Sequence, residues 1–363
     1  MSQPGKYTQF DASPHSTHSL VVRLIPPGAR VLEFGCATGF MSEVLTTRLG
    51  CRVTGIEYSA AAGELARQHC ETVFIGDAET LDFKRLLSGE RFDILLFADV
   101  LEHLREPDAL LRRVSPLLTE QGAIIASIPN IAHGSVRLAL LHGEFRYQDK
   151  GLLDSTHLRF FTRESVQDLF EGSGHVITHW LRKHMAINRT EIALPDWPIP
   201  EAVQELLAAD PEATTYQFIV RAVPSPEAAA LKQARAQAAA ATAQNEWLSK
   251  LSQAAQEVAA LVRAGSKLIL VDENQFGSEF VTGRKAIPFL EHEGNYWGPP
   301  PDDATAIQEF ERLRQSGAEF LAVAWPAFWW LDQYPEWHSH LRSSFRCVLE
   351  NDRVLVFDLC ARL

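Results

Sequence analysis

The stretch Val31-Leu-Glu-Phe-Gly-Cys-Ala-Thr-Gly-Phe40 decides the fold of this chain. An apolar run that ends in an acidic residue and two spaced glycines, here Glu33, Gly35 and Gly39, predicts a buried strand that turns sharply around a ligand. Glycine allows close backbone approaches that a Cβ atom forbids, and the helix predicted over 41–49 offers free N–H groups there. The spacing differs from the dinucleotide pattern G-x-G-x-x-G, so it favours an adenosyl ligand without a cradled phosphate over NAD.

The composition sets limits on the class of protein. A chain of 363 residues, 46% hydrophobic and 22% charged, has room for two or three globular domains. The net charge of -12 argues against a nucleic-acid partner, because phosphate binding needs clustered Lys and Arg. The five cysteines form no C-x-x-C pair, which predicts neither a disulfide framework nor a zinc site and favours a reducing cytoplasm.

The chain shows no sign of export or membrane insertion. Residues 1–6 lack the charged-then-apolar pattern of a leader, and no run approaches the ~18 apolar residues that span a bilayer. We therefore expect a cytoplasmic protein without membrane insertion.

Short apolar runs alternate with helical patterns from residue 29 onward, which predicts a doubly wound α/β sheet covered on both faces. The predicted strands are 31–34, 52–56, 72–75, 92–97, 123–128, 175–181 and 215–222. The predicted helices are 41–49, 60–70, 107–118 and 163–172. Residues 129–161 are longer than a plain connection and are predicted to form a substrate-side insertion.

The composition changes abruptly after Pro224 and Pro226 to an Ala-rich helical pattern over 227–263. The pattern has no clean heptad, so a self-associating coiled coil and a spacer helix that packs on its own chain are both open. Further strands, at 267–272, 320–324, 345–349 and 354–359, and helices at 304–316 and 328–342 predict a second, smaller α/β domain. The predicted domains are 1–28 (a segment and helix), 29–223, 224–264 (the linker helix) and 265–363.

Acidic residues end successive predicted strands, at the edge where open α/β sheets bind ligands. Glu57 ends the second strand, where its carboxylate can accept both hydroxyls of a ribose. Asp77 follows the third strand and is placed to accept an adenine amino group. The fourth strand ends in Ala98-Asp-Val-Leu-Glu-His-Leu104.

On these motifs residues 29–223 resemble class I S-adenosylmethionine-dependent methyltransferases, close to the ubiquinone-biosynthesis type with its D-x-L-E-H segment. The resemblance implies a Rossmann-like sheet of seven strands, the seventh antiparallel, with S-adenosyl-L-methionine as the cofactor. It places cofactor contacts at Glu33, Gly35, Cys36, Gly39, Glu57, Tyr58, Asp77, Ala78, Ala98 and Asp99. Of these, the Cys36 thiol is expected to be only a small filler near the pocket.

Within that family a methyl group passes from a sulfonium to oxygen, nitrogen or carbon, which depends mainly on alignment. A hydroxyl acceptor also benefits from losing its proton, and histidine is the usual base near neutral pH. His103 is the first candidate, although Glu102 and His103 can instead start a short helix that fixes the loop.

The insertion carries a second set of candidates. His157 is predicted as a base or substrate contact, with Asp154 orienting its imidazole, or else as a structural anchor. His133 and Arg159 are predicted substrate contacts. No metal site is predicted, because the chain has no H-E-x-x-H motif and no tight carboxylate pair.

The insertion and residues 128–135 resemble bacterial methyltransferases encoded among glycosyltransferases for surface polysaccharides, which implies a sugar or glycan acceptor. A quinone-like or other natural-product hydroxyl is an alternative acceptor. The C-terminal region resembles an accessory domain found with glycosyltransferases and methyltransferases. A third hypothesis is a scaffold that keeps the cofactor fold but recruits glycosyltransferases through the long helix and the C-terminal domain. The long helix could also join two copies of the chain in a homodimer.

The C-terminal region is rich in aromatic residues that could stack on sugars or form a core. At helical spacing a core or an interface is the stronger interpretation. The residues concerned are Trp297, Trp325, Trp329, Trp330, Tyr334 and Trp337.

Overall fold

The computed structural model describes residues 9–194, 198–276, 280, 283–293 and 295–362. The predictions for residues 1–6, and the first eight residues of the predicted segment 1–28, lie outside the described residues. The chain divides into two compact units between Arg235 and Ala236. In the described part of the chain, no helix combines the length and the apolar character needed to cross a membrane.

The first unit alternates strands and helices as the hydrophobic pattern predicts. Its strands are β1 (Arg30–Phe34), β2 (Arg52–Glu57), β3 (Thr72–Ile75), β4 (Phe92–Ala98), β5 (Leu118–Pro129), β6 (His175–His184) and β7 (Thr215–Pro224). Its helices are α1 (Thr17–Val22), α2 (Phe40–Leu49), α3 (Ala60–Ala66), α4 (Phe83–Leu86), α5 (Pro107–Val114), α6 (Gly134–Leu141), α7 (Arg163–Gly172) and α8 (Glu201–Ala209).

These strands form one seven-stranded sheet in the order β3-β2-β1-β4-β5-β7-β6. Strands β1 to β5 pair in parallel, and β7 runs antiparallel to both β5 and β6. The predicted doubly wound sheet with an antiparallel seventh strand is confirmed. The strand order reverses between β1 and β4, which opens a crevice at their carboxyl ends.

Strand β1 lies at the centre of this sheet and is covered on both faces. Leu32 and Phe34 belong to one fully buried cluster, and Val31 belongs to the cluster on the opposite face. The rings of Phe34 and Phe97 stack with centroids 4.3 Å apart. Side chains on both faces of β1 are packed in a hydrophobic core, so the strand is apolar at successive positions. This is why the apolar run predicts a buried central strand.

Two predicted helices end early. Helix α5 ends at Val114 and passes into a 3₁₀ turn, Ser115–Leu117. Pro116 lacks an N–H group, so an α-helix cannot continue with its full set of hydrogen bonds there. Helix α3 ends at Ala66 rather than near residue 70. The insertion also contains a helix, α6, that the sequence analysis does not predict.

The long predicted helix is α9 (Ala228–Leu261). Its side chains from 236 to 249 are exposed, whereas Ala254 and Val258 on the helix, and Val262 just after it, are buried in a core of the second unit. The structure therefore shows the C-terminal part of α9 packed on its own chain. Self-association through the exposed part stays a prediction.

The second unit is the predicted smaller α/β domain. Its strands are β8 (Lys267–Val271), β9 (Lys285–Pro288), β10 (Glu291–His292), β11 (Asn295–Tyr296), β12 (Phe320–Ala324), β13 (Phe345–Glu350) and β14 (Val354–Arg362). Five of them form a sheet in the order β13-β14-β12-β8-β9, and β10 pairs with β11. Its other helices are α10 (Asp303–Gln315), α11 (Trp330–Gln333) and α12 (Pro335–Ser344). The single helix predicted over 328–342 is broken at Tyr334, because a proline disfavours helical geometry in the residue before it.

Most aromatic residues of this unit form its core. Trp330 and Trp337 are completely buried, and Tyr334 is 5% exposed. Trp325 packs against Phe276 with ring centroids 4.6 Å apart. Trp297, by contrast, is 73% exposed.

Candidate functional site

A cavity of about 490 Å³ lies at the carboxyl ends of β1, β2 and β4. Seven of the predicted cofactor residues line it, on four different strands or the turns that follow them. They are Gly35, Glu57, Tyr58, Asp77, Ala78, Ala98 and Asp99. The crevice that the strand order opens is thus the place where these separate motifs meet.

The turn after β1 needs its glycines. Gly35 and Gly39 have φ angles of 66° and 83°. A Cβ atom on Gly35 would lie 2.8 Å from a side-chain carbon of Val100, and one on Gly39 would lie 2.9 Å from Cα of Ala66. Both conformation and space therefore demand glycine, and the turn leaves a cradle that a side chain would fill.

Glu57 links this turn to the end of β2. Its Oε2 accepts a hydrogen bond from the backbone N–H of Ala37 at 2.9 Å, and its Oε1 accepts one from Ser59 at 2.8 Å. Each carboxylate oxygen can accept a further bond. The cavity volume, the glycine turn and the carboxylates of Glu57 and Asp77 fit an adenosyl ligand. The assignment of Glu57 to the ribose and of Asp77 to the base stays a prediction.

Three predicted cofactor residues, Glu33, Cys36 and Gly39, are not among the lining residues. Glu33 is buried beneath the turn, where its Oε2 accepts a hydrogen bond from Ser42 Oγ at 2.5 Å. Burial raises the pKa of Glu33 to about 8. Cys36 is buried in a small cluster with Ala66 and Val73, as expected of a filler. Glu33 and Cys36 are therefore buried behind the cavity wall, whereas Gly39 belongs to the turn itself.

A second cavity of about 360 Å³ adjoins the first, and the two share His18, Asp99 and His103. The other residues that line the second cavity are Gln9, Asp11, Ser16, Thr17, Glu102, Pro129, Lys150, Gly151, Asp154, His157, Lys183, Glu191, Tyr216 and Gln217. An acceptor held in the second cavity would thus lie beside a ligand in the first.

Asp99 stands at the junction of the two cavities in a left-handed conformation, with φ of 55°. Its Oδ1 accepts hydrogen bonds from Ser127 Oγ at 2.7 Å and from Gln217 Nε2 at 2.9 Å. Burial raises the pKa of Asp99, and the nearby His18 and Lys183 oppose that rise. Non-glycine residues in this conformation recur at functional sites, where the surrounding structure holds the strain.

His103 lines both cavities, as a base between cofactor and acceptor would. It ends a 3₁₀ turn, Leu101–His103, so the structural alternative for this segment is also present. Its Nδ1 lies 3.1 Å from the backbone oxygen of Thr156. Its ring lies edge-on to that of His157, with centroids 4.8 Å apart.

His157 and Asp154 line the second cavity. The Asp154 carboxylate accepts two hydrogen bonds from Thr156, from its backbone N–H at 2.9 Å and from its Oγ1 at 2.7 Å. The backbone of the same segment docks on the 3₁₀ turn, because the N–H groups of Leu158 and Arg159 both donate to the backbone oxygen of Glu102. The insertion is thereby fixed beside His103.

The two predicted substrate contacts, His133 and Arg159, lie outside both cavities, and their role stays a prediction. His133 is fully buried and caps α6, with Nδ1 accepting from the Ser135 N–H at 3.2 Å and Nε2 donating to the Met185 oxygen at 3.0 Å. Both ring nitrogens are thus used by the fold. Arg159 donates from Nε to the backbone oxygen of Arg105 at 3.0 Å. Neither residue is among those that line the two cavities.

Several site residues carry no sequence signal because they come from distant parts of the chain. His18 lies on α1, Lys183 on β6 and Gln217 on β7. The backbone N–H of Asp11 donates to Nδ1 of His18 at 2.9 Å, so the neutral ring carries its hydrogen on Nε2. Burial lowers the pKa of His18. His18 is therefore a hydrogen-bond donor at the junction.

The structure brings together a group that could hold a metal ion. Glu102, His103 and His157 each offer a ligand atom, and these atoms lie within 4.8 Å of one another. Glu102 is 1% exposed, and its two carboxylate oxygens have no hydrogen-bond partner among the described residues. Burial raises the pKa of Glu102 well above its usual range. Both histidines are predicted site residues, but the sequence pattern predicts no metal site.

Residues 12–179 match the family model described as a methyltransferase domain. The chain is 30% identical over 154 residues to the ubiquinone biosynthesis O-methyltransferase of Rhodopseudomonas palustris, covering 42% of this chain and 60% of that protein. It is 27% identical over 184 residues to the protein of the same name from Xanthomonas campestris, covering 48% of this chain and 77% of the relative.

Among solved structures, the chain is similar to a methyltransferase of Thermotoga maritima described as a possible histamine N-methyltransferase. The identity is 20%, the TM-score is 0.39, and the match covers 57% of this chain and 87% of that one. Magnesium protoporphyrin IX methyltransferase from Synechocystis has 18% identity and a TM-score of 0.39, covering 58% of this chain and 82% of its own.

The family match spans the glycine turn, the acidic strand ends and the insertion that borders the second cavity. Residues 12–179 therefore belong to a class I, S-adenosylmethionine-dependent methyltransferase domain.

Proposed function

We propose that this protein is an O-methyltransferase whose acceptor is a sugar or glycan intermediate of surface polysaccharide biosynthesis. One observation carries the choice of acceptor. The cavity beside the cofactor cavity is lined by polar or charged residues at every described position except Pro129 and Gly151.

Such a lining suits an acceptor that presents many hydroxyl groups. Pockets for small molecules are usually lined mainly by apolar side chains, with few polar groups. Here Lys150 and Lys183 can donate hydrogen bonds, while Asp11 and Glu191 can accept them. An apolar quinone ring would offer these groups no hydrogen bonds in exchange for the water that it displaces, at a cost in binding free energy.

Oxygen as the methylated atom is supported by the two named relatives, which are O-methyltransferases. Their names also support the alternative acceptor, a quinone-like hydroxyl. The match covers only 60% of the Rhodopseudomonas protein, so the activity of the whole chain is part of the proposal.

The chain's own residues would position and deprotonate the acceptor. His103 borders both cavities and can take the hydroxyl proton on Nε2 while the acceptor oxygen forms its bond to the methyl carbon. Asp99 and Gln217 are joined by a hydrogen bond at the same junction and hold its polar wall in place. S-adenosylmethionine supplies the electrophilic methyl group, and its neutral thioether leaves with the electron pair.

An acceptor screen tests this proposal. The purified full chain is incubated with S-adenosylmethionine and nucleotide sugars, lipid-linked glycans or catechols, and methylated products are identified by mass. We expect methylated sugar, and much less of it from Glu57→Ala at a limiting cofactor concentration, because this variant should bind the cofactor more weakly. Methylation of catechols alone would overturn the sugar assignment. Cofactor binding without transfer to any acceptor would favour the scaffold hypothesis.

A cytoplasmic location and a glycosyltransferase partner on α9 stay predictions. The cysteine pattern favours the first, and the exposed side chains at 236–249 leave room for the second.

A further inference from the structure

We propose that Thr156 and Asp154 are positioning residues that fix the ring tautomer of His103, so that the neutral imidazole keeps its lone pair on Nε2. The proposal rests on the proposed function only in giving that lone pair the role of proton acceptor. The tautomer itself follows from hydrogen bonds within the insertion.

Two oxygen atoms of Thr156 lie within hydrogen-bond distance of His103 Nδ1. This nitrogen lies 3.1 Å from the backbone oxygen of Thr156 and 3.2 Å from the Oγ1 of the same residue. A carbonyl oxygen has no hydrogen to give, so it can only accept. The first contact is therefore a hydrogen bond only if Nδ1 carries the hydrogen.

The Thr156 hydroxyl group is able either to donate a hydrogen bond to His103 Nδ1 or to accept one from it. Its single hydrogen is directed to the Asp154 carboxylate, at an Oγ1 to Oδ1 distance of 2.7 Å. An ionised carboxylate can only accept. The hydroxyl oxygen is thus left to accept from His103, and both contacts require the same tautomer.

The carboxylate of Asp154 holds Thr156 in place. Asp154 is 2% exposed, and its Oδ1 also accepts the Thr156 backbone N–H at 2.9 Å. One buried carboxylate therefore fixes both the backbone and the hydroxyl of Thr156. A partner on one ring nitrogen decides which nitrogen of a neutral histidine is basic.

His18, which also borders both cavities, has the opposite ring tautomer. There the backbone N–H of Asp11 donates to Nδ1, which forces the opposite tautomer and leaves Nε2 a donor. Of these two histidines that border both cavities, the hydrogen bonds therefore leave a basic Nε2 only on His103. This assigns Asp154 a role through Thr156 on His103, whereas the sequence predicts that it acts on His157.

The tautomer can be measured without any acceptor. The full chain is labelled with [¹⁵N]histidine, and the His103 signals are assigned by their loss in His103→Asn. We expect a protonated Nδ1 and an unprotonated Nε2 in the wild type, mixed tautomers in Thr156→Val and Asp154→Ala, and wild-type signals in Thr156→Ser and Asp154→Asn. An Nε2-protonated His103 in the wild type would overturn the proposal.

Ser155→Ala is the matched control, because Ser155 is exposed in the same turn. Thr156 is exposed too, so Thr156→Val is expected to fold even if Asp154→Ala, at a buried position, does not. Unchanged tautomers in Thr156→Val and in a folded Asp154→Ala would refute the positioning role.

Turnover gives the second readout once an acceptor is known. We expect Asp154→Ala to lower kcat by about 10- to 100-fold with little change in cofactor Kd, Thr156→Val to lower it less, and Asp154→Asn to restore it. Full activity in His103→Asn would refute the base role in the proposed function while leaving the tautomer result intact.

Discussion

Glu57 accepts a hydrogen bond from the backbone N–H of Ala37 through Oε2, at 2.9 Å. Ala37 is held in a left-handed conformation, with φ of 48°, in the turn between Gly35 and Gly39. The acid that is predicted to bind a ribose therefore also restrains the turn that shapes the cavity. One side chain does both because β1 and β2 are adjacent parallel strands.

We expect Glu57→Ala to weaken S-adenosylmethionine binding by about 10-fold or more, since hydrogen bonds to a charged group are worth roughly 1.5–3 kcal/mol. Isothermal titration calorimetry measures the affinity. Glu64→Ala is the matched control, because Glu64 pairs with Arg67 on the exposed face of α3. Equal affinity for wild type and Glu57→Ala would remove Glu57 from the cofactor site.

The stability of the first unit should depend on pH through Glu33. Burial raises the folded-state pKa of Glu33 to about 8, above its ordinary value of 4.5. The folded state therefore binds the proton more tightly, and this stabilisation is complete below pH 4.5 and lost as pH rises through about 8.

Glu33→Gln keeps an oxygen that can accept from Ser42 and has no proton to lose. We expect its Tm to fall less than that of the wild type between pH 6 and pH 9, as measured by thermal unfolding followed by circular dichroism. Glu43→Gln, on the exposed face of α2, serves as the control. An equal fall in Tm with pH in Glu33→Gln and in the wild type would contradict the raised pKa of Glu33.

The cluster of Glu102, His103 and His157 should bind Zn²⁺, because two imidazoles and a carboxylate form a common zinc ligand set. A bound ion would occupy a lone pair of His103, so we expect added Zn²⁺ to inhibit methyl transfer and chelator-treated protein to stay active. We further expect Glu102→Gln to weaken Zn²⁺ binding by about 10-fold or more and to relieve the inhibition.

The two measurements are Zn²⁺ titration by calorimetry and turnover with and without a chelator. Glu106→Gln, at an exposed neighbouring glutamate, is the control. Turnover that disappears on chelation and returns with a divalent cation would contradict a base role for His103 and assign activation of the hydroxyl to the metal.

The aromatic residues of the second unit should contribute to its stability according to how deeply each is buried. Trp337 is completely buried, and its ring stacks on Phe289 with centroids 5.8 Å apart. We expect Trp337→Ala to destabilise this unit by about 3–5 kcal/mol, because it leaves a large cavity. Trp297→Ala should change stability by less than about 0.5 kcal/mol, since Trp297 is exposed. Urea unfolding of the full chain followed by tryptophan fluorescence compares them, and equal losses would refute this distinction.

The sequence predicts the first unit well because its signals are local. A buried parallel strand is apolar on both faces, and a turn that needs positive φ uses glycine, so β1 and the turn at Gly35 are visible in ten residues. The break at Tyr334 had a local signal too, in Pro335. Helix α6 did not, since its near-continuous apolar run shows no clear period.

The acceptor side of the site was predicted only in part, because its residues meet through tertiary contacts. His18, Lys183 and Gln217 come from α1, β6 and β7, and no spacing in the sequence connects them. His133 and Arg159 are predicted substrate contacts, but tertiary contacts place their side chains in hydrogen bonds with the backbone oxygens of Met185 and Arg105. Asp154, a predicted site residue, does line the second cavity, but the hydrogen bonds that join it to Thr156, and Thr156 to His103, depend on how the insertion docks.

The sequence by itself determined the sheet, the glycine turn and the acidic strand ends, because each follows from the conformational and burial demands of neighbouring residues. Only the tertiary structure decided which polar groups share a cavity and which atoms of those groups are free to react. Glu33 illustrates the division: its place in the Glu33 to Gly39 motif is local, but its burial beneath the turn and its raised pKa come from residues packed around it.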